Sequence, residues 1–174
     1  LLPRFNMMGL VSLLEPARIA NYLSTAPLYR HDFHAVHPGE VTASNGMTLT
    51  CGPLPEKLTR DDLVIVAGSW GAEHYADAAL ISWLRRQARM GIRLCAVEMA
   101  PYVFARAGLL AGRQATTHWS YLAGFQEKFP AVLAAEQLFT IHGKIMTCPC
   151  SSTAPDLQPP LNPAHHRARP ACAH

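Results

Sequence analysis

The stretch from Arg93 to Leu110 limits the fold more than any other. Residues 94–97 are an apolar run, Leu-Cys-Ala-Val, and the pattern breaks at Glu98-Met99-Ala100. A helical pattern then covers residues 101–110. So short and so apolar a run predicts a strand buried on both faces. Strand, sharp turn and helix is the layout of a nucleophile elbow, whose turn residue stands exposed at the carboxyl end of a parallel strand. A serine or cysteine is usual there. This chain has Glu98.

The flanking pattern predicts the rest of an α/β unit. Residues 7–24 carry apolar side chains at helical spacing, with Pro16 inside, so a helix with a kink or a broken first half is expected. Residues 29–37 alternate imperfectly and predict a strand. Residues 41–44 and 47–50, joined by Asn45-Gly46, predict a hairpin with a two-residue turn. Residues 51–60 predict a loop. The continuous run over residues 63–67 predicts a second strand buried on both faces, ending at the glycine-bearing loop Gly68-Ser69-Trp70-Gly71. Residues 77–90 predict an amphipathic helix stopped by Gly91. Residues 114–117 predict a short strand and residues 119–128 a helix. Residues 138–141 and 144–147 predict a hairpin around His142-Gly143. Strands that alternate with helices, and have apolar interiors, predict an α/β sandwich with a mainly parallel sheet.

Composition narrows the class. With 174 residues, 49% of them hydrophobic, the chain can bury one sizeable core. A charged fraction of 16% and a net charge of +3 are too mild to imply a nucleic-acid surface by themselves. No run of eighteen apolar residues predicts a membrane span. Five irregularly spaced cysteines fit reduced thiols in a cytoplasm better than a disulfide framework. Residues 149–174 hold six prolines and no helix-length apolar pattern, so an irregular, disordered tail is expected over residues 148–174, after a domain at residues 1–147. Leu1-Leu2 reads as the end of a strand that starts earlier, and both ends of the chain read as truncated.

Four segments then match a known family in order. They are Glu15-Pro-Ala-Arg-Ile-Ala-Asn21, Gly68-Ser-Trp-Gly-Ala-Glu73, Ala107-Gly-Leu-Leu110 and Gly112-Arg-Gln-Ala-Thr-Thr-His-Trp119. They resemble the amino-terminal domain of GlxA-type AraC-family transcriptional regulators, of the PfpI-like, class I glutamine amidotransferase-like superfamily. The resemblance implies a flavodoxin-like three-layer α/β sandwich, usually dimeric, that senses an effector. It also implies two helix-turn-helix motifs beyond the domain. No such pair is visible after Thr147, so DNA contact is expected only through a domain missing here.

The resemblance sharpens the reading of Glu98. Enzymes of the superfamily carry cysteine at this position. Glutamate cannot perform the same acyl transfer without forming an anhydride. The acid that helps the cysteine corresponds here to Gly9, and Glu15 lies more than a helical turn beyond it. Cys95 falls inside the strand and is expected to be a buried, inert thiol. A catalytically silent, non-enzymatic fold is the expectation.

Two readings of Glu98 stand side by side. It can be a ligand-contacting carboxylate that suits a cationic or amine-bearing small molecule, or it can cap the helix that follows. Met99 belongs to the same turn. His118 can serve a ligand or Glu98, or be a surface or capping residue. Gly68, Ser69 and Gly71 can offer backbone amides to an anion, or form an ordinary tight turn, and Trp70 can wall a pocket or simply pack. His31, His34 and His37 alternate faces of a strand and are read as surface residues, and Cys148-Pro-Cys150 is one residue short of a Cys-x-x-Cys pair. No metal and no cofactor is expected.

The first function this supports is the ligand-sensing, dimerising domain of an AraC-type regulator. The partners would be a small-molecule effector and a second copy, with no membrane contact. The alternatives are a PfpI-like amidase or hydrolase, disfavoured by Glu98, and a fragment without function of its own.

Overall fold

The computed structural model describes residues 1–149. The order of elements is α1 (Met7–Leu23), β1 (His34–Ala35), β2 (Gly39–Thr42), β3 (Thr48–Pro53), β4 (Leu63–Ala67), α2 (Ala78–Arg89) and β5 (Arg93–Val97). Then come α3 (Pro101–Arg106), β6 (Gln114–Ala115), a 3-10 turn at Trp119–Tyr121, α4 (Leu122–Lys128), β7 (Leu133–Ala134), β8 (Thr140–His142) and β9 (Ile145–Cys148).

The central sheet runs β4-β5-β9-β8. β5 lies parallel to both β4 and β9, and β8 closes the edge antiparallel. A second sheet runs β1-β3-β2. The residues before α1 lie between the two sheets: the Leu1 amino group donates to the His34 carbonyl and the Leu2 amide to the Ala67 carbonyl. β6 and β7 form a small parallel pair, which Thr116 ties to β9 by donating its amide to Thr147 Oγ1.

Alternation along the strands creates the layers, because successive side chains point to opposite faces. Leu94 and Ala96 of β5 pack with Leu84 of α2 and Val103 and Phe104 of α3. Cys95 and Val97 face the other way, with Leu13 of α1, Met146 and Cys148. Residues 94–97 of β5 are therefore all apolar, because they are covered on both sides. This is the flavodoxin-like α/β sandwich expected, with mostly parallel pairing.

Local chemistry explains the boundaries. Asn6 caps α1 by accepting the Gly9 amide at 3.1 Å, and Asp77 caps α2 by accepting the Leu80 amide at 2.9 Å. α1 continues through Pro16.

Several expected elements differ. The strand expected over residues 29–37 shrinks to His34–Ala35, because Asn21 takes up the backbone before it: its side chain accepts the Leu28 and Tyr29 amides and donates to the Tyr29 carbonyl. The hairpin at Asn45-Gly46 does not use a two-residue turn. Gly46 donates to the Ala43 carbonyl and alone in the turn has positive φ, at 87°, while Ala43 donates to the Met47 carbonyl. That is a three-residue loop ending in a glycine bulge. β3 extends through Pro53 into the region expected to be a loop.

The helix after the elbow ends at Arg106, where Gly108 turns the chain at φ 72° and Leu109 donates back to the Phe104 carbonyl. The strand expected over residues 114–117 is two residues long, and the helix at 119–128 opens as a 3-10 turn. β7 is an element the pattern did not indicate. Cys148 lies inside β9, fully buried, and belongs to the sheet and not to the tail. The remaining expectation of a disordered tail, with Cys150, lies outside the described residues.

Candidate functional site

β5 delivers Glu98 to the carboxyl end of the central sheet, between β4 and β9. Its backbone lies at φ 63°, one of two non-glycine residues with positive φ among those described. For a residue with a Cβ this costs roughly 1–2 kcal/mol. The surroundings hold it there. The Glu98 amide donates to the Cys148 carbonyl at 2.9 Å, and Ala100 donates back to Val97 at 3.1 Å. The Glu98 carbonyl accepts the Thr117 hydroxyl at 2.9 Å and the His118 amide at 3.3 Å. A sharp elbow clamped from the sheet edge and from the segment after β6 is over-determined, as a retained strained residue requires.

The side chain is buried, with 6% of its surface exposed, and Oε1 accepts from Asn6 Nδ2 at 3.0 Å. Asn6 is also the N-cap of α1. Its Oδ1 is committed to the Gly9 amide, which turns its Nδ2 toward Glu98. The carboxylate thus faces the start of a 17-residue helix, where the helix dipole favours negative charge. The N-cap of α3 is Ala100, which makes no side-chain cap hydrogen bond.

Asn6 is the residue the sequence reading missed. An Asn before an apolar helical run is a cap signal, but its contact with Glu98 arises only when α1 and β5 are folded together. Gly9 itself is buried on the inner face of the helix.

The other expected site residues take different parts. Gly68 touches the same cluster through its carbonyl, which accepts the Asn6 amide, while its own amide donates to Val97 at 3.4 Å. A Cβ added at Gly68 would lie 3.0 Å from the Ala100 amide nitrogen and 3.2 Å from Leu2, so the glycine permits β4 and the elbow to meet. The Gly71 amide donates to the Glu73 carboxylate at 2.7 Å. The Gly68 amide is thus engaged by β5 and the Gly71 amide within the loop. Ser69 is buried, and Trp70 is 56% exposed on the loop's outer side. Arg106 holds the loop from α3 by donating to the Ala72, Glu73 and Tyr75 carbonyls.

Met99 is fully buried, with its sulfur 3.9 Å from the Thr117 hydroxyl. His118 approaches Glu98 by its backbone only. Its ring hydrogen-bonds Ser120 Oγ at 2.8 Å and stacks on Trp119. Cys95 is fully buried on the α1 side, and burial pushes its thiol well above the ordinary range, with Cys148 adding to the shift. A thiol held protonated is no nucleophile.

An elbow at the carboxyl end of a parallel strand, in a sheet covered by helices on both faces, defines a class. The chain belongs to the DJ-1/PfpI family, whose model matches residues 11–158. Its curated relatives are regulators. It is 38% identical over 157 residues to the HTH-type transcriptional regulator CdhR of Pseudomonas aeruginosa, a match covering 90% of this chain and 46% of that protein. It is 34% identical to the HTH-type transcriptional regulator GlxA of Rhizobium meliloti, covering 85% of this chain and 46% of that one. The chain therefore spans less than half the length of these relatives. In fold it is similar to an AraC family transcriptional regulator from Pseudomonas putida, with a TM-score of 0.77, 20% identity, and coverage of 92% of this chain and 86% of that one. No helix among the described residues is long and apolar enough to cross a membrane.

Proposed function

We propose that this chain is the effector-sensing part of an AraC-type transcriptional regulator, and that the Glu98 cluster contacts the effector. The observation that carries this is the buried Glu98 carboxylate, presented on a strained, clamped elbow against the Asn6 amide. A carboxylate in low-dielectric surroundings recognises an amine-bearing or cationic molecule through charge-assisted hydrogen bonds. We assign to the same site Met99, next in the chain, and His118, whose amide donates to the Glu98 carbonyl, with Gly68, Ser69 and Trp70 from the adjoining loop. The elbow holds no nucleophile, so the site binds without turnover. This agrees with the regulator relatives and leaves the amidase reading without a reacting group.

Regulation follows as a population shift, in which a ligand that prefers one arrangement of the elbow and α1 favours that state. The reading includes a cytoplasmic homodimer, with DNA contacted through a separate helix-turn-helix region. Apolar side chains on the outer face of α1, among them Met8, Ile19 and Tyr22, support a partner copy by their exposure. The test is a thermal-shift series with primary amines, betaines and amino acids on the wild type and Glu98→Gln. A cationic ligand should raise Tm by several degrees in the wild type and much less in the variant. Equal stabilisation of both would remove Glu98 from the site.

A further inference from the structure

The opposite end of the sheet carries a second feature that the effector reading does not use. A cleft of about 620 Å³ opens at the amino-terminal ends of β5 and β9. Its apolar surface comes from Ala88 of α2, Ile92 just before β5, Leu109 after α3, and Ile145 at the start of β9. Its polar groups are Arg113, His142 and Lys144, and no lining residue is acidic. β5 separates this cleft from Glu98, a span of roughly 15–20 Å at about 3.3 Å per residue.

The charge in this cleft is available. Lys144 Nζ donates to the Gly91 carbonyl at 2.5 Å, which holds the ammonium beside the cleft while leaving it without a counter-ion. Among the described residues the side chains of Arg113 and His142 make no hydrogen bond or ion pair.

We propose that this cleft binds a small molecule with an apolar body and an anionic head, a carboxylate or a phosphate monoester, at a site separate from Glu98. The apolar floor takes the body, and Arg113 and Lys144 take the head. Arg offers a planar fork and Lys a point charge, and both suit carboxylate and phosphate. The volume is within the range of small-molecule sites. Such a site would give the domain two inputs of opposite charge preference at the two ends of one sheet.

The test is calorimetric titration of the full chain with 4-phenylbutyrate, phenyl phosphate and 4-phenylbutylamine. The first and last share a body and differ in head charge, and the first two separate carboxylate from phosphate. The expected result is saturable one-to-one binding of at least one anion and none of the amine, weakened by added salt. Arg113→Gln with Lys144→Gln should weaken the anion at least about tenfold, and Glu98→Gln should leave it unchanged. Both cleft positions are exposed, so the variant should keep its circular dichroism spectrum and Tm. Ala111→Trp, at the exposed margin, should also block binding by occupying the mouth. The proposal fails if the amine binds as well as the anions, if no anion binds at millimolar concentration, or if the double variant binds as the wild type does.

Discussion

The two ends of the central sheet are built in opposite ways. At the carboxyl end the strands, the start of α1 and the segment after β6 converge on Glu98, whose amide, carbonyl and Oε1 each have a hydrogen-bond partner. At the amino-terminal end a cleft lies against the starts of β5 and β9, and its exposed cationic side chains have no counter-ion among the described residues. The carboxyl end is over-determined because a residue with positive φ must be held against its own preference. The amino-terminal end needs no such support, and its chemistry rests on exposed, replaceable side chains.

If that contrast is correct, substitutions should rank by end. The largest effect is expected at Gly68, where a side chain would meet the Ala100 backbone and Leu2. Gly68→Val should destabilise the protein by about 2–3 kcal/mol in chemical denaturation, and a variant as stable as the wild type would show that the elbow can give way. Next comes Asn6→Ala, which removes both the cap of α1 and the partner of Glu98. Its expected cost is about 1–2 kcal/mol. Smaller, and more specific, is the comparison of Glu98→Gly with Glu98→Ala. Both lose the carboxylate, but only glycine adopts φ 63° without strain. The glycine variant should be more stable by about 1 kcal/mol. An alanine variant of equal or greater stability would mean that the backbone relaxes and that the elbow stores no strain. The cleft substitutions at Arg113 and Lys144 complete the series, with the stability of the unliganded protein expected to change by less than about 0.5 kcal/mol.

How much was legible beforehand varied with the origin of each feature. β4, β5 and α2 were readable because burial on two faces, or on one helical stripe, leaves its period in the sequence. The short strands β6 and β7 were not, since two residues carry no period and their pairing is decided by neighbours far along the chain. The hairpin at Asn45-Gly46 was located correctly and its turn misjudged, because Asn-Gly signals a bend at that place but serves more than one loop length. At the site, Glu98 stood out as an unexpected residue at a recognisable turn. Its partner did not, because Asn6 announces only a helix start and lies 92 residues away.

The sequence by itself determined an α/β sandwich, the position of the elbow, and the presence at its tip of a carboxylate where a nucleophile would be usual. Those follow from local composition and spacing, which survive without tertiary context. Tertiary packing set that carboxylate against Asn6 at the start of α1. Only it placed Arg113, His142 and Lys144 around one cleft. Both depend on which strands lie side by side, and strand order is set by packing across the whole chain.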